Sequence, residues 1–312
     1  MLNASVIIST RNRAHILPRL FDALAGMRLA ANTSWELLLI DNGSTDDTAQ
    51  VVADEAAAGR LPLLMLSEPI PGKSRALNRA MRAARGELLV FTDDDVEPSP
   101  AWLQAYIDAA AQHPEFDGFA GKVLPKWLGQ IPDWLHTEGP FALPRGITNT
   151  RDFGDAQGVL AIDVIPGGVN TALRSGAAAR NGWFREDLGP GTTIPFTEDT
   201  DYMRRYRAGG GTFWYVPDAL LFHCNIPERM TKDYVRHWMH EVARCQILAF
   251  GNKPAGKCLA GVPLYLWRQW IARGLCSCLE PRPNQRLQLQ MKWRFTAGEI
   301  RGYRELQAIG NK

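Results

Sequence analysis

Four apolar runs within the first 92 residues, each followed by a segment of helical periodicity or by an acidic cluster, constrain the fold more than any other feature of this sequence. The runs are "SVIIS" at 5–9, "LLLI" at 37–40, "LPLLML" at 61–66 and "LLVF" at 88–91. Between them, residues 14–26 place Ile16, Leu17, Leu20 and Leu24 on one helical face. Ser44, with Asp47 three positions on, predicts an N-cap opening a helix over 46–58. A basic helix is expected over 73–85, closed by Gly86 as a C-cap. Strand and helix therefore alternate as β-α-β-α-β-α-β. That order argues for an α/β fold with a parallel sheet and helices on both faces.

Ligands of such sheets sit outside the carboxyl ends of the strands. The segments that follow runs one, two and four are "TRNR" at 10–13, "DNGS" at 41–44 and "DDD" at 93–95, and all three should meet on one rim. Asp93, Asp94 and Asp95 side by side disfavour one another's ionisation unless a cation or open water compensates. Their convergence with the other two segments favours a divalent metal such as Mg²⁺, which takes carboxylate oxygens and shares them with phosphate. Two nucleotide-binding motifs are excluded. Gly72-Lys73-Ser74 resembles the end of a phosphate loop, but Ser67 stands where its first glycine belongs, with Pro69 and Pro71 between. Nor does a G-x-G-x-x-G follow the first run.

Residues 127–158 are rich in Pro, Gly and Trp with poor periodicity, which predicts a long irregular segment. A strand is expected over 161–165, then "PGGVN" at 166–170, where paired glycines allow close approach to a ligand or a bulge. "TEDTD" at 197–201 precedes a helical stretch over 202–208, with short strands expected over 213–216 and 219–223.

At this point the pieces "VIISTRNR", "LLLIDNGSTDDT", "GKSRALNRAMRAARGELLVFTDDD", "GGVNTALRS" and "TEDTDYMRR", in that order, resemble a family 2 glycosyltransferase of the GT-A fold over roughly residues 4–225. The resemblance implies transfer of a single sugar from a nucleoside-diphosphate sugar to a hydroxyl of a lipid-linked or glycan acceptor, with inversion, and Mn²⁺ or Mg²⁺ as cofactor. It implies a base-binding role for Asp41 with Thr10, Arg11 and Asn12 beside it, a ribose contact for Asp93, and metal ligation by Asp95. Asp94, Lys73, Arg75 and Gly168 join the donor-binding set. Asp199 matches the general base, with Glu198 near the acceptor. His223 matches a position that reaches the metal or the diphosphate, although a lone His is also a common structural residue. The Gln-x-x-Arg-Trp motif of processive synthases is absent, "RQWIAR" at 268–273 being different, so single addition is expected. The competing readings are a sugar-phosphate nucleotidyltransferase, whose Gly-rich loop after the first strand is missing, and a non-catalytic binding protein.

The expected division is a catalytic region over 1–228, with a donor half to about 125 and an acceptor half over 126–228, and a mainly helical extension over 229–312. Charge separates the same two parts. Residues 229–312 hold 15 Lys and Arg against 5 Asp and Glu, a net of +10, whereas 1–228 carry a net of −8. Helical spacing is read for Tyr234, Trp238, Val242, Cys245 and Ala249, and Leu264, Trp267, Ile271 and Leu275 fall on one face with Arg268 and Arg273 away from it. Such a basic, Trp-containing region suits either an anionic membrane surface or packing on the catalytic region. The alternation over 287–295 formally argues strand, with a helix also open. No nucleic-acid partner is expected. Five cysteines without C-x-x-C pairs fit reduced thiols. With neither a secretory leader nor about 18 consecutive apolar residues, a cytoplasmic protein is expected, and the basic tail leaves open peripheral attachment at the inner membrane face.

Overall fold

The computed structural model describes residues 2–251, 254 and 256–310. It contains a nine-stranded mixed sheet. Its strands are β1 (Leu2–Thr10), β2 (Trp35–Asp41), β3 (Leu63–Ser67), β4 (Gly86–Thr92), β5 (Val96–Pro98), β6 (Gly118–Trp127), β7 (Gly158–Val159), β8 (Asn170–Arg174) and β9 (Phe213–Asn225). Along the sheet the order is β3-β2-β1-β4-β8-β6-β9-β5, with β7 also on β9. The first four pair in parallel, and β8 turns antiparallel on β4. The helices are α1 (Leu17–Ala25), α2 (Thr48–Ala58), α3 (Lys73–Ala83), α4 (Trp102–Gln112), α5 (Arg145–Thr148), α6 (Ser175–Asn181), α7 (Glu198–Ala208), α8 (Lys232–Phe250), α9 (Leu264–Leu279) and α10 (Pro283–Gly310).

Successive strand residues point to opposite faces, and each face has its own cover. Val6, Ile8, Leu37, Leu39 and Val90 pack with Leu17, Leu20 and Leu24 of α1, Val52 of α2 and Trp102 of α4. The alternate residues Ile7, Leu38, Ile40, Leu89 and Phe91 pack with Ala76 and Leu77 of α3, Ala177 of α6 and Tyr202 of α7. The two halves of the sheet meet at Asn170. Its amide nitrogen donates to the carbonyls of Lys122 (2.9 Å) and Ala219 (2.7 Å), and its oxygen accepts from Trp102 Nε1 and Tyr106 Oη, both at 2.8 Å. A buried amide so completely satisfied fixes the register of β8 against β6 and β9.

Several local expectations yield to tertiary contacts. Ser44 does not cap a helix: α2 starts at Thr48 with Asp47 before it, and Ser44 Oγ instead accepts from Asn12 N. Residues 161–165 form no strand. They turn, with Arg207 Nη2 donating to the carbonyls of Ala161 (3.0 Å) and Val164 (3.1 Å). The two short strands over 213–223 are one, β9. Pro217, which lacks an N–H, lies between the part of β9 paired with β7 and the part paired with β5.

Gly86 does not terminate α3 but opens β4, opposite Leu2 of β1. A Cβ there would lie 2.3 Å from Ser5 N and 2.4 Å from Ala4 C, backbone atoms with nowhere to go. The same corner is locked by polar bonds: Gly86 N donates to Ser5 Oγ, which donates to Glu36 Oε1, and Arg85 grips Glu36 through Nε and Nη2. Gly86→Ala is therefore expected to cost at least about 2 kcal/mol by overpacking. Urea unfolding should show a lower midpoint with an unchanged slope, and an unchanged midpoint would refute the close-approach argument.

The chain forms two contact units, neither one continuous in sequence. The first holds residues 1–126, 149–192 and 198–224, and with them the sheet just described apart from its outermost residues. The second holds 127–148, 193–197 and 225–312. Within the second, Leu135, Leu143 and Ile147 bury against Val235 of α8 and Leu287 and Met291 of α10. The alternating stretch over 287–295 is thus helical, because Leu287 and Met291, one turn apart, share a buried face. Among the described residues, no helix is long and apolar enough to cross a membrane.

Candidate active site

All the catalytic, donor-binding and metal-ligating candidates named on the sequence fall in the first contact unit. Parallel pairing aligns the ends of β1, β2 and β4, so Thr10, Asp41 and Thr92 bring their following loops together. The loops then hold one another. Asn12 takes a left-handed backbone, φ 54°, and its side-chain oxygen accepts from Thr45 N at 2.8 Å. Asp41 Oδ1 accepts from Ser44 N at 3.0 Å. Arg11 is exposed.

Asn42, which the sequence does not advertise, is the clamp of this rim. It is buried; its amide donates to the carbonyls of Glu68 and Ile70 and accepts from Gly72 N at 2.8 Å. The turn leading into α3 is thereby fixed, and with it Lys73. Ser74 and Asn78 of α3 in turn hold the segment ahead of α7, through the carbonyl of Leu188 and the backbone of Phe184. Arg75 points elsewhere, pairing with Glu186 at 2.7 Å.

The three aspartates after β4 divide their tasks. Asp94 Oδ2 accepts from Thr10 Oγ1 at 2.7 Å, with Arg13 Nε at 3.9 Å. Burial first, and the neighbouring Asp95 second, push its carboxyl up to about 7. Asp93 Oδ1 meets Lys73 Nζ at 2.5 Å. Asp95 Oδ1 lies 3.2 Å from His223 Nε2, and Asn149 Nδ2 is 3.4 Å from the other ring nitrogen, Nδ1. The pairing of β5 with β9, Val96 opposite His223, makes that meeting. Asp93, Asp95 and His223 each offer a ligand atom, all within 4.8 Å of one another. Two carboxylate oxygens and an imidazole nitrogen suit a divalent cation of Mg²⁺, Mn²⁺ or Zn²⁺ type, and the crowding of acids at Asp94 marks a place where positive charge is wanted.

A second acidic pair opens α7. Glu198 is buried, and its Oε1 is 3.5 Å from Lys73 Nζ. Burial raises its carboxyl to about 7, held back by Lys73 and pushed on by Asp199. Burial works against the Lys73 ammonium, but Asp93 and then Glu198 outweigh it and raise its pKa. Asp199 is fixed at both oxygens: Oδ2 accepts from Gly168 N at 2.9 Å, and Oδ1 from Thr200 N at 2.6 Å and Thr200 Oγ1 at 3.2 Å. Gly168 must be glycine for this, since a Cβ would lie 2.7 Å from Asp199 Cβ. Of the paired glycines, Gly168 thus serves an approach to a carboxylate of the chain itself, while Gly167 lies against the Arg151 side chain. Lys73, touching Asp93 and Glu198 at once, joins the two acidic groups into one site.

The family model described as Glycosyl transferase family 2 matches residues 5–157. Over 223 residues, 71% of this chain, the sequence is 25% identical to the pre-mycofactocin glycosyltransferase of Mycobacterium tuberculosis (strain ATCC 25618 / H37Rv), of which it covers 42%. Over 110 residues, 35% of this chain, it is 28% identical to the undecaprenyl-phosphate 4-deoxy-4-formamido-L-arabinose transferase of Sodalis glossinidius, covering 33% of it. The chain thus spans less than half the length of these relatives. Among solved structures, the mannosyltransferase PcManGT from Pyrobaculum calidifontis, in complex with GDP-Man and Mn²⁺, superposes with a TM-score of 0.59. That likeness covers 96% of this chain and 86% of the other at 19% identity, a similarity of fold.

Proposed function

The chain belongs to glycosyltransferase family 2 and has the GT-A fold, and from that premise we propose that it moves a single sugar, with inversion, from a nucleoside-diphosphate sugar to a hydroxyl of a lipid-linked or glycan acceptor. One observation carries the reading. A cation-type acidic cluster and a separately oriented carboxylate share one rim, tied by Lys73 at 2.5 Å to Asp93 and 3.5 Å to Glu198. Inverting displacement needs both, one on the leaving group and one on the nucleophile.

Asp199 is the base in this scheme. A carboxylate has roughly four acceptor positions, and its bonds to Gly168 and Thr200 occupy three, leaving one for an acceptor hydroxyl. The two backbone N–H bonds also fix the carboxylate plane, so the proton is taken at a defined place. Glu198 stands beside it on the acceptor side. Thr10, Arg11, Asn12, Asp41 and Asp94 make the donor side and Lys73 links it to the acceptor side, where Gly168 holds Asp199; Arg75, paired with Glu186, is left out of the donor set. Asp95 and His223, with Asp93, are the residues to hold Mn²⁺ or Mg²⁺; bound there, the ion supplies positive charge to the departing diphosphate. The GDP-Man and Mn²⁺ held by the similarly folded mannosyltransferase support this assignment. Support for a lipid-linked acceptor comes from the undecaprenyl-phosphate sugar transferase relative and from the +10 net charge of residues 229–312, which favours work beside an anionic membrane surface. We take residues 1–228 as the catalytic region and 229–312 as its basic extension.

The test is a screen of UDP- and GDP-sugars for saturable binding and for slow hydrolysis to free nucleoside diphosphate, with and without Mn²⁺. Donor hydrolysis that depends on the cation is the expected result. Pyrophosphate release from a nucleoside triphosphate and a sugar phosphate would mean nucleotidyl transfer instead. Failure of every donor to bind would overturn the reading.

A further inference from the structure

The two sides of α9 differ sharply. Its inner side is closed: Leu266 is 1% exposed and packs with Val262 of the 262–263 strand and Ile300 of α10, and Trp267 and Trp270 border the same cluster. Trp293 lies against Trp270, ring centroids 6.0 Å apart, and Arg273 Nη1 donates to Thr296 of α10. Trp267, Trp270 and Trp293, and one of the two arginines of α9, are therefore spent on holding α9 to α10.

Its outer side is apolar and open. Tyr265 is 54% exposed, Ile271 55%, Leu275 61% and Leu279 81%. Ile271, Leu275 and Leu279 recur every fourth residue, so they form a ridge about 12 Å long at 1.5 Å per residue. Arg268, three residues before Ile271, is exposed on the same side rather than turned away from it. No Asp or Glu occurs anywhere from 256 to 279, whereas Lys257, Arg268 and Arg273 all do. Leu259, in the short hairpin just before the helix, is 58% exposed as well. An exposed apolar ridge of this kind marks a docking surface.

Charge decides the occupant. A second copy of the chain would set Arg268 and Lys257 against the same cations, and no acid in this stretch could answer them. Anionic headgroups complement the cations, while the ridge reaches the acyl boundary below them. We propose that the outer face of α9, made by Tyr265, Arg268, Ile271, Leu275 and Leu279, is a membrane-docking surface that lies in the headgroup layer of an anionic bilayer. The surface deepens the membrane placement proposed above and is independent of the transfer chemistry.

The full-length protein is sedimented with phosphatidylcholine vesicles, with and without added phosphatidylglycerol, across a range of salt. Wild type is expected on the anionic vesicles only, and less so as salt rises. Arg268→Gln should lower partitioning about fivefold, the loss of one cation near the surface. Ile271→Gln with Leu275→Gln should lower it about tenfold or more. Both variants change exposed positions, so melting temperature and donor hydrolysis, read without vesicles, should stay at the wild-type values. Separate readouts keep a failed docking surface distinct from a failed transferase reading. Equal sedimentation of wild type and variants overturns the proposal, as does absence of wild type from anionic vesicles. A wild-type dimer that becomes a monomer in the double variant overturns it too, assigning the ridge to a second copy.

Discussion

Asp199→Asn is expected to lower turnover by roughly 10²- to 10⁴-fold, the range for a lost general base, while donor affinity stays near the wild-type value. The substitution keeps the shape of the side chain and removes its basicity. Its oxygen can still accept from Thr200 N, as Oδ1 does now at 2.6 Å. Its new NH₂ would face Gly168 N–H, a donor against a donor, where Oδ2 now accepts at 2.9 Å. That conflict costs about 1–3 kcal/mol, so melting is measured alongside turnover to separate a weakened fold from lost chemistry. Single-turnover rates and donor titration distinguish the alternatives. If affinity falls in step with turnover, Asp199 holds the donor and is not the base.

Asp95→Ala is expected to remove the cation dependence of nucleotide binding. In wild type, calorimetry should show UDP or GDP binding that strengthens with Mn²⁺ or Mg²⁺. Losing a supporting contact to a ligand already weakens metal affinity about 10- to 100-fold, and loss of the ligand itself should do at least as much. The fold should survive, because the bond from Cys224 N to the Asp95 carbonyl, 2.9 Å, belongs to the backbone and is kept by alanine. His223 loses its carboxylate neighbour and keeps Asn149 Nδ2 at its other ring nitrogen. Nucleotide binding of equal strength with and without cation in the wild type would sink the metal assignment.

What could be read in the sequence was what local pattern encodes. The runs that became β1, β2 and β4 are continuous and apolar because strands buried on both faces need no alternation, whereas β3, at the sheet edge, leaves Leu64 exposed. The acids at the end of β4 follow from the rule for strand termini in such sheets. Other features were illegible for a physical reason. Asn42 and Asn170 are single polar residues whose partners lie 26 to 68 positions away, and nothing nearby marks them. Gly86 carries a correct local signal for a helix end, but the contact that selects it is the backbone of β1, some 80 residues earlier. The apparent strand over 161–165 loses to one guanidinium, Arg207, that collects its carbonyls. The alternation over 287–295 was ambiguous because a short apolar pattern fits both periods until its partner surface is known.

The interleaving of the two contact units has a consequence for how the chain is made. On the ribosome, residues 127–148 emerge long before 225–310, yet Leu135, Leu143 and Ile147 bury against Val235, Leu287 and Met291. Synthesis runs at about 5–20 residues per second, so those side chains stay uncovered for roughly ten seconds or more. During that interval the nascent protein presents a hydrophobic segment to chaperones and proteases, and a ribosome stalled before Leu287 leaves it open for good. A premature stop before Leu287 would then be read by the cell as misfolding of residues 127–148.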